Sequence, residues 1–228
     1  MSGEELDRAL EESSLRPLPG TAAELLRAVG APARLGAHLR AVHDVAVQIL
    51  EWLGEAAPRL ARQVDRNAVV FGAATHDIGK AQFPGELSGP GAQHERAGEA
   101  LLLSYGVPGD LAKFAALHAD WDRADATVEE LLVTLADTVW KGRRWAGLEE
   151  RVAERLAAAE GLAVWEAFMR LDDLLTRIAD GADGRLAFQA RFPVHEQTVP
   201  PGYDKKRPTR RAAAPLPPSP GNAAGGSG

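Results

Sequence analysis

Apolar residues recur at helical spacing along most of this chain, with Gly, Pro and Asp separating the runs. The pattern predicts short amphipathic helices over 3–13 and 21–29. Thr21, with Glu24 three residues on, has the form of a capping box. A longer helix is predicted over 33–54, and Pro58 opens a shorter piece that runs to about Val64. Asn67 to Ile78 reads as an apolar helix, within residues 66–78, that Gly79 stops. A Gly/Pro-rich loop follows from Gln82 to Gly91, and further helices are predicted at about 92–105, 109–119, 127–141, 147–159 and 162–180. Only Arg185 to Val194 alternates in a strand-like way. From Val199 onward the chain turns to Pro, Ala, Gly and Ser with a basic cluster, a composition that predicts disorder. The expectation is an all-α protein: one helical domain over 1–198 and a disordered basic tail over 199–228.

Composition changes this picture little. Hydrophobic residues make up 45% of the 228 and charged residues 25%, as in ordinary globular proteins. Abundant Ala and Leu with 6% aromatics favours helices. The absence of cysteine excludes disulfides, thiolate-held zinc and a thiol nucleophile. Any metal must then be held by His nitrogens and carboxylate oxygens. Residues 1–5 are acidic and have no apolar core of a secretory signal, and no apolar run approaches the roughly 20 residues that span a bilayer. A cytoplasmic location and no membrane partner are expected.

Charge is uneven. The net charge is -6, and the segment from Pro201 carries five basic residues (Lys205, Lys206, Arg207, Arg210, Arg211) and one acid (Asp204). That segment is therefore +4 and the remainder -10. So acidic a body argues against broad nucleic-acid binding. It leaves room for a small phosphorylated substrate, because a bound cation inverts the local field.

The candidate chemistry centres on His76-Asp77-Ile78-Gly79-Lys80. Burying an imidazole and a carboxylate side by side costs several kcal/mol unless each finds a partner. A carboxylate at a helix C-terminus also meets the negative end of the macrodipole, a penalty that a nearby cation removes. Five of the six His residues lie between 38 and 118: His38, His43, His76, His94 and His118. His38 shares a helical arc with Val42, Val45, Ala46, Ile49 and Leu53, so it projects toward the core. His43 falls roughly 140° further round and reads as a bystander or rim residue. His94 opens one helix and His118 closes another, where either could be an ordinary terminal His. For Asp137 the periodicity leaves two readings, a site carboxylate or an exposed i,i+4 partner of Lys141.

The set His38…His76-Asp77…His94…His118…Asp137, each on its own predicted helix, resembles the HD-domain superfamily of metal-dependent phosphohydrolases. The resemblance covers about 34–142. It rests also on local contexts: His38-x3-Val42-x3-Ala46, Ala73-Ala74-Thr75-His76-Asp77-Ile78-Gly79-Lys80, His94-x3-Gly98-x2-Leu101-Leu102 before Gly106-Val107-Pro108, and Leu135-Ala136-Asp137. It implies a helical bundle around a central metal site. His38, His76, Asp77 and Asp137 would hold one divalent ion. His94 and His118 would hold a second, with Asp77 bridging. Mn, Fe, Co, Ni or Mg all suit such donors.

The implied reaction is hydrolysis of a small phosphomonoester or phosphodiester, a nucleotide above all, by a metal-activated water. Asp77 and Lys80 would carry the chemistry. Arg34, Trp121 and Arg144 lie near motif segments as candidate substrate contacts, although Trp121 could plug the core and Arg144 could cap a helix. A di-iron oxygenase and a non-catalytic metal-binding module are the alternatives. The stretch Ala116-Leu117-His118-Ala119-Asp120-Trp121 lacks the paired His and Gly-Tyr-Pro run of relatives that cleave cyclic dinucleotides, which argues against that substrate.

Overall fold

The computed structural model describes residues 2–12, 14–192 and 194. The basic tail over 199–228 lies outside the described residues. Among the described residues eleven α-helices follow one another: α1 (Ser2–Glu11), α2 (Gly20–Ala28), α3 (Ala33–Ala56), α4 (Pro58–Ala61), α5 (Arg66–Thr75), α6 (Gln93–Ser104), α7 (Gly109–Leu117), α8 (Val128–Val139), α9 (Ala146–Glu160), α10 (Val164–Asp180) and α11 (Ala182–Ala190). Two 3-10 turns, Ile78–Ala81 and Pro84–Leu87, lie between α5 and α6. No strand occurs among the described residues, and none of their helices is long and apolar enough to cross a membrane.

The 24-residue α3 is the axis, buried along nearly its whole length. Its Val42, Val45, Ile49 and Leu53 join Val69 of α5, Leu131 and Leu135 of α8, Leu156 of α9 and Leu171 and Leu175 of α10 in the main core. A second cluster, built on Leu6, Leu10, Leu26, Leu35, Leu39, Ile78 and Leu102, ties α1, α2 and α6 to the first half of α3. Burying each such Leu or Ile contributes about 1.5–3 kcal/mol. The helix α8 starts with a capping box, in which Thr127 accepts from the Glu130 N–H and Glu130 accepts from the Thr127 N–H.

Several boundaries differ from the periodicity. α2 begins one residue before Thr21, after Pro19 at φ -51° and ψ 139°, and no side chain caps it. Pro19 sets the entry dihedral itself. α5 ends at Thr75, not Ile78, and Gly79 is no C-terminal stop but part of the first 3-10 turn. Its role is steric: a Cβ at Gly79 would overlap the His94 carbonyl oxygen and lie 2.6 Å from the Gly98 nitrogen. The backbone of α6 therefore rests directly on this turn.

The described residues between Arg185 and Val194 form no strand, because α11 runs through most of them. Arg185, Phe188 and Phe192 are its buried positions, at spacings of three and four. Arg185 Nε donates to Trp140 O at 2.6 Å, and Nη2 donates to Ile178 O. A buried Arg reads as polar and masks the helical period. On α10, Leu171, Leu174, Leu175 and Ile178 belong to the core, whereas Trp165 and Met169 are 68% and 55% exposed.

The close approach at Gly79 gives a direct test. Gly79→Ala is expected to cost about 1–3 kcal/mol through overpacking. Gly85→Ala, where a Cβ meets nothing within 4 Å, serves as the control. Urea denaturation of both variants should show a lower midpoint for Gly79→Ala alone.

Candidate metal centre

Six side chains from separate elements converge where the two cores meet. His38 comes from the second turn of α3, His76 from the C-terminal cap of α5, and Asp77 from the residue after it. Asp77 has φ -101° and ψ 10°, the bridge region between helix and extended chain. The chain leaves the helix there, which lets two adjacent side chains face the same point. His94 lies in the first turn of α6, His118 caps the C-terminus of α7, and Asp137 lies in the last turns of α8.

These residues form two triads: His38, His76 and Asp137 in one, Asp77, His94 and His118 in the other. In each, the three donor atoms lie within 4.8 Å of one another. Asp77 faces both. Its Oδ2 lies 3.0 Å from His38 Nε2 and 3.7 Å from His76 Nε2. Its Oδ1 lies 3.0 Å from His94 Nε2 and 3.5 Å from His118 Nε2. Asp137 Oδ1 stands 3.4 Å from His38 Nε2 and 3.5 Å from His76 Nε2.

These short distances are not hydrogen bonds. His38 Nε2, His76 Nε2, His94 Nε2, Asp77 Oδ1 and Asp137 Oδ1 are all buried with no hydrogen-bond partner. The opposite ring nitrogens show why for three of the rings. His76 Nδ1 pairs with Ala73 O at 3.1 Å and His118 Nδ1 with Ala115 O at 3.0 Å. His94 Nδ1 pairs with Glu86 Oε2 at 2.6 Å. A carbonyl or carboxylate needs a donor, so Nδ1 carries the proton in these neutral rings and the Nε2 lone pair points at a carboxylate. Lone pairs facing lone pairs in a buried cluster call for a cation, and nitrogen–oxygen donor sets of this kind suit a divalent metal. The residues present therefore fit a metal centre.

Protons compete for the same positions. Burial lowers His76, but Asp77 and Asp137 outweigh it and hold the imidazole above its ordinary value. Burial also works against His94, where Asp77 and Glu86 raise it. His38 is lowered by burial despite Asp77, and burial drives His118 down to about 4. Burial alone would raise both carboxyls. The surrounding imidazoles hold Asp77 well below the usual range and Asp137 at about 2.

Lys80 sits at the rim, its side chain 19% exposed and its Nζ 2.5 Å from Asp77 Oδ2. The side chain of Asp137 is 26% exposed although its Oδ1 is buried, whereas the other five converging side chains are buried. Asp137 faces the cluster and not Lys141, whose Nζ lies over the Trp140 ring at 5.6 Å.

The three candidate substrate contacts fare differently. Arg34, one turn before His38, donates from Nη1 to Gln189 O at 3.2 Å and keeps a buried Nε without a partner. Trp121 is partly buried at the edge of the main core, 6.2 Å from the Trp145 ring and facing Gly147. Arg144 has its guanidinium filled by Glu149 at 2.7 and 2.8 Å and by Asp172 at 2.6 Å. It clamps α9 to α10 and has no free fork for a phosphate. His43 is no rim residue but is buried outside both triads. Glu86 and Trp140, whose ring meets His38 at 5.0 Å, escaped the sequence reading. A carboxylate inside a Gly/Pro loop carries no periodic signal.

Residues 35–139 match the protein-family model for the HD domain. No curated protein matches the chain, and neither does any solved structure.

The burial of His43 sets a pH dependence. Desolvation, only partly opposed by Asp44 and reinforced by Arg16 and Arg40, brings this imidazole down to about 4. Between pH 6.5 and 4 the unfolded chain binds a proton there that the native protein refuses, so stability falls as pH falls through that window. The contribution reaches about 3 kcal/mol at pH 4. His43→Leu should remove it. The unfolding free energy of the variant relative to the parent is expected to climb by that amount from pH 7 to 4 in urea titrations of metal-free protein. Parallel curves would discard His43 as the source.

Proposed function

We propose, on the premise that residues 35–139 form an HD domain, that this protein is a metal-dependent phosphohydrolase using two divalent ions. Its substrate is a small phosphomonoester or phosphodiester, a nucleotide above all. The observation that carries the reading is Asp77, whose two carboxylate oxygens face separate donor triads. His38, His76 and Asp137 would hold one ion, His94 and His118 the other, and Asp77 both.

When bound, such ions would supply Lewis acidity toward a phosphoryl oxygen and lower the pKa of a water nucleophile. The protein's own groups do the rest. The Nδ1 contacts of His76, His94 and His118 fix ring orientation and keep each Nε2 available. Burial of five of the six donors excludes bulk water from the cluster. The exposed edges of Asp137 and Lys80 mark the side from which a substrate reaches it. The Lys80 ammonium, beside Asp77 at that edge, offers positive charge to a phosphate and to the charge that develops in the transition state.

Two measurements test this. Elemental analysis of protein purified without added metal should find two equivalents of a divalent metal in the parent and a large loss in Asp77→Ala. The loaded parent should release phosphate or nitrophenol from a panel of nitrophenyl phosphate mono- and diesters and nucleotides. Lys80→Ala should retain the metal and lose about 10²–10³-fold in kcat. No turnover across the panel by a fully loaded parent, with oxygen uptake in its place, would move the protein to the oxygenase alternative.

A further inference from the structure

We infer that Glu86 is a positioning residue for the second triad, the anionic group that orients His94 toward Asp77. The inference rests on the two-ion reading above. Glu86 lies in the 3-10 turn Pro84–Leu87, eight residues before His94 and outside both triads. Its Oε2 accepts from His94 Nδ1 at 2.6 Å, with side-chain exposures of 6% for His94 and 9% for Glu86.

Three further contacts hold the carboxylate in place. Oε1 accepts the Gln93 N–H and Oε2 the His94 N–H, both at 3.2 Å. These are orphan donors at the start of α6, where Ala92 at the N-cap has no side chain to satisfy them. The backbone of Gly91 presses on the same group, and a Cβ there would overlap the Glu86 carboxylate. Glu86 thus caps α6 from a distance and locks the ring of a residue in its first turn.

The other rings are held differently. His76 and His118 lean on carbonyls of their own helices, Ala73 and Ala115. Those contacts follow from helix geometry and carry no net charge. His94 begins its helix and has no preceding turn to lean on. Glu86 supplies the missing acceptor and adds a negative charge behind the imidazole, which makes Nε2 a better donor to a cation. The carboxylate behind the imidazole therefore distinguishes His94 from His76 and His118.

The test uses Co2+ alone as probe on the full chain stripped of metal, with calorimetric titration and the visible absorption of bound Co2+ as readouts. The parent should take up two Co2+. Glu86→Gln keeps one oxygen to accept from the His94 ring and the His94 N–H, removes the charge, and gives up the acceptor for the Gln93 N–H. It should lower the metal-free melting temperature less than Glu86→Ala, leave one Co2+ site unchanged, and weaken the other 10–100-fold with a changed absorption band. Glu86→Ala should weaken the same site at least as much and also lower the metal-free melting temperature. Glu86→Gln that binds both ions like the parent, or weakens both equally, overturns the inference. A parent that binds one Co2+ overturns the two-ion reading instead. Glu86 then stands if Glu86→Gln weakens that single site and falls if it does not.

Discussion

Imidazole lone pairs directed at carboxylate oxygens inside a buried cluster are the constraint on which the rest of this structure depends. His76, His94 and His118 each spend Nδ1 on an acceptor, so each presents Nε2 to the carboxylates as a second acceptor. Unpartnered buried acceptors cost several kcal/mol in a site without water or counter-ion. The carboxylates around them hold the imidazoles of His76 and His94 high, whereas burial holds those of His38 and His118 low. A divalent ion relieves the cost, because it meets several lone pairs at once and displaces the protons. The core packing explains how such a cluster is tolerated. It lies among α3, α5 and α8, which Val42, Val45, Val69, Leu131 and Leu135 tie together in the main core.

Placing two adjacent ligands is the harder geometric problem. In a continuous helix His76 and Asp77 would point about 100° apart. Ending α5 at Thr75 and passing through the bridge conformation at Asp77 brings both inward. The 3-10 turn that follows then lies against α6, and this works only because Gly79 and Gly98 present no side chains at the crossing. A local backbone choice at Asp77 and a tertiary close approach at Gly79 are thus two halves of one device.

This division explains what the sequence made legible. Helices with a long apolar stripe, such as α3 and α8, are visible in the period of their own residues. The set of six converging side chains was legible through the order and local contexts that resemble the HD-domain superfamily, whereas the periodicity around His94, His118 and Asp137 left them open. The end of α5 was not legible: apolar periodicity continues through Ile78, and only the packing of α6 requires the turn. Gly79 looked like a helix stop because glycine serves that purpose often, yet its backbone stays out of the left-handed region here. Arg185 hid α11 because burying a guanidinium against two carbonyls inverts the polarity pattern. Arg144 looked like a phosphate ligand until Glu149 and Asp172 occupied its fork. Partners far apart in sequence decide such cases.

The two triads differ in how the fold holds them. His38, His76 and Asp137 ride on α3, α5 and α8, whose packing belongs to the main core, so their positions follow from helix crossings. His94 and His118 sit at helix ends, and the loop between Gln82 and Ala92 connects the first 3-10 turn to α6. Helix ends are the less cooperative parts of a fold unless something closes them. Here the closing groups are specific: Glu86 at the start of α6, and Thr134 of α8, whose hydroxyl donates to His118 O at 2.7 Å. Through Thr134 the end of α7 is tied to the helix that carries Asp137. The two halves of the centre thus meet twice, once through the carboxylate of Asp77 and once through the backbone of His118. Small displacements of either half must be felt by the other.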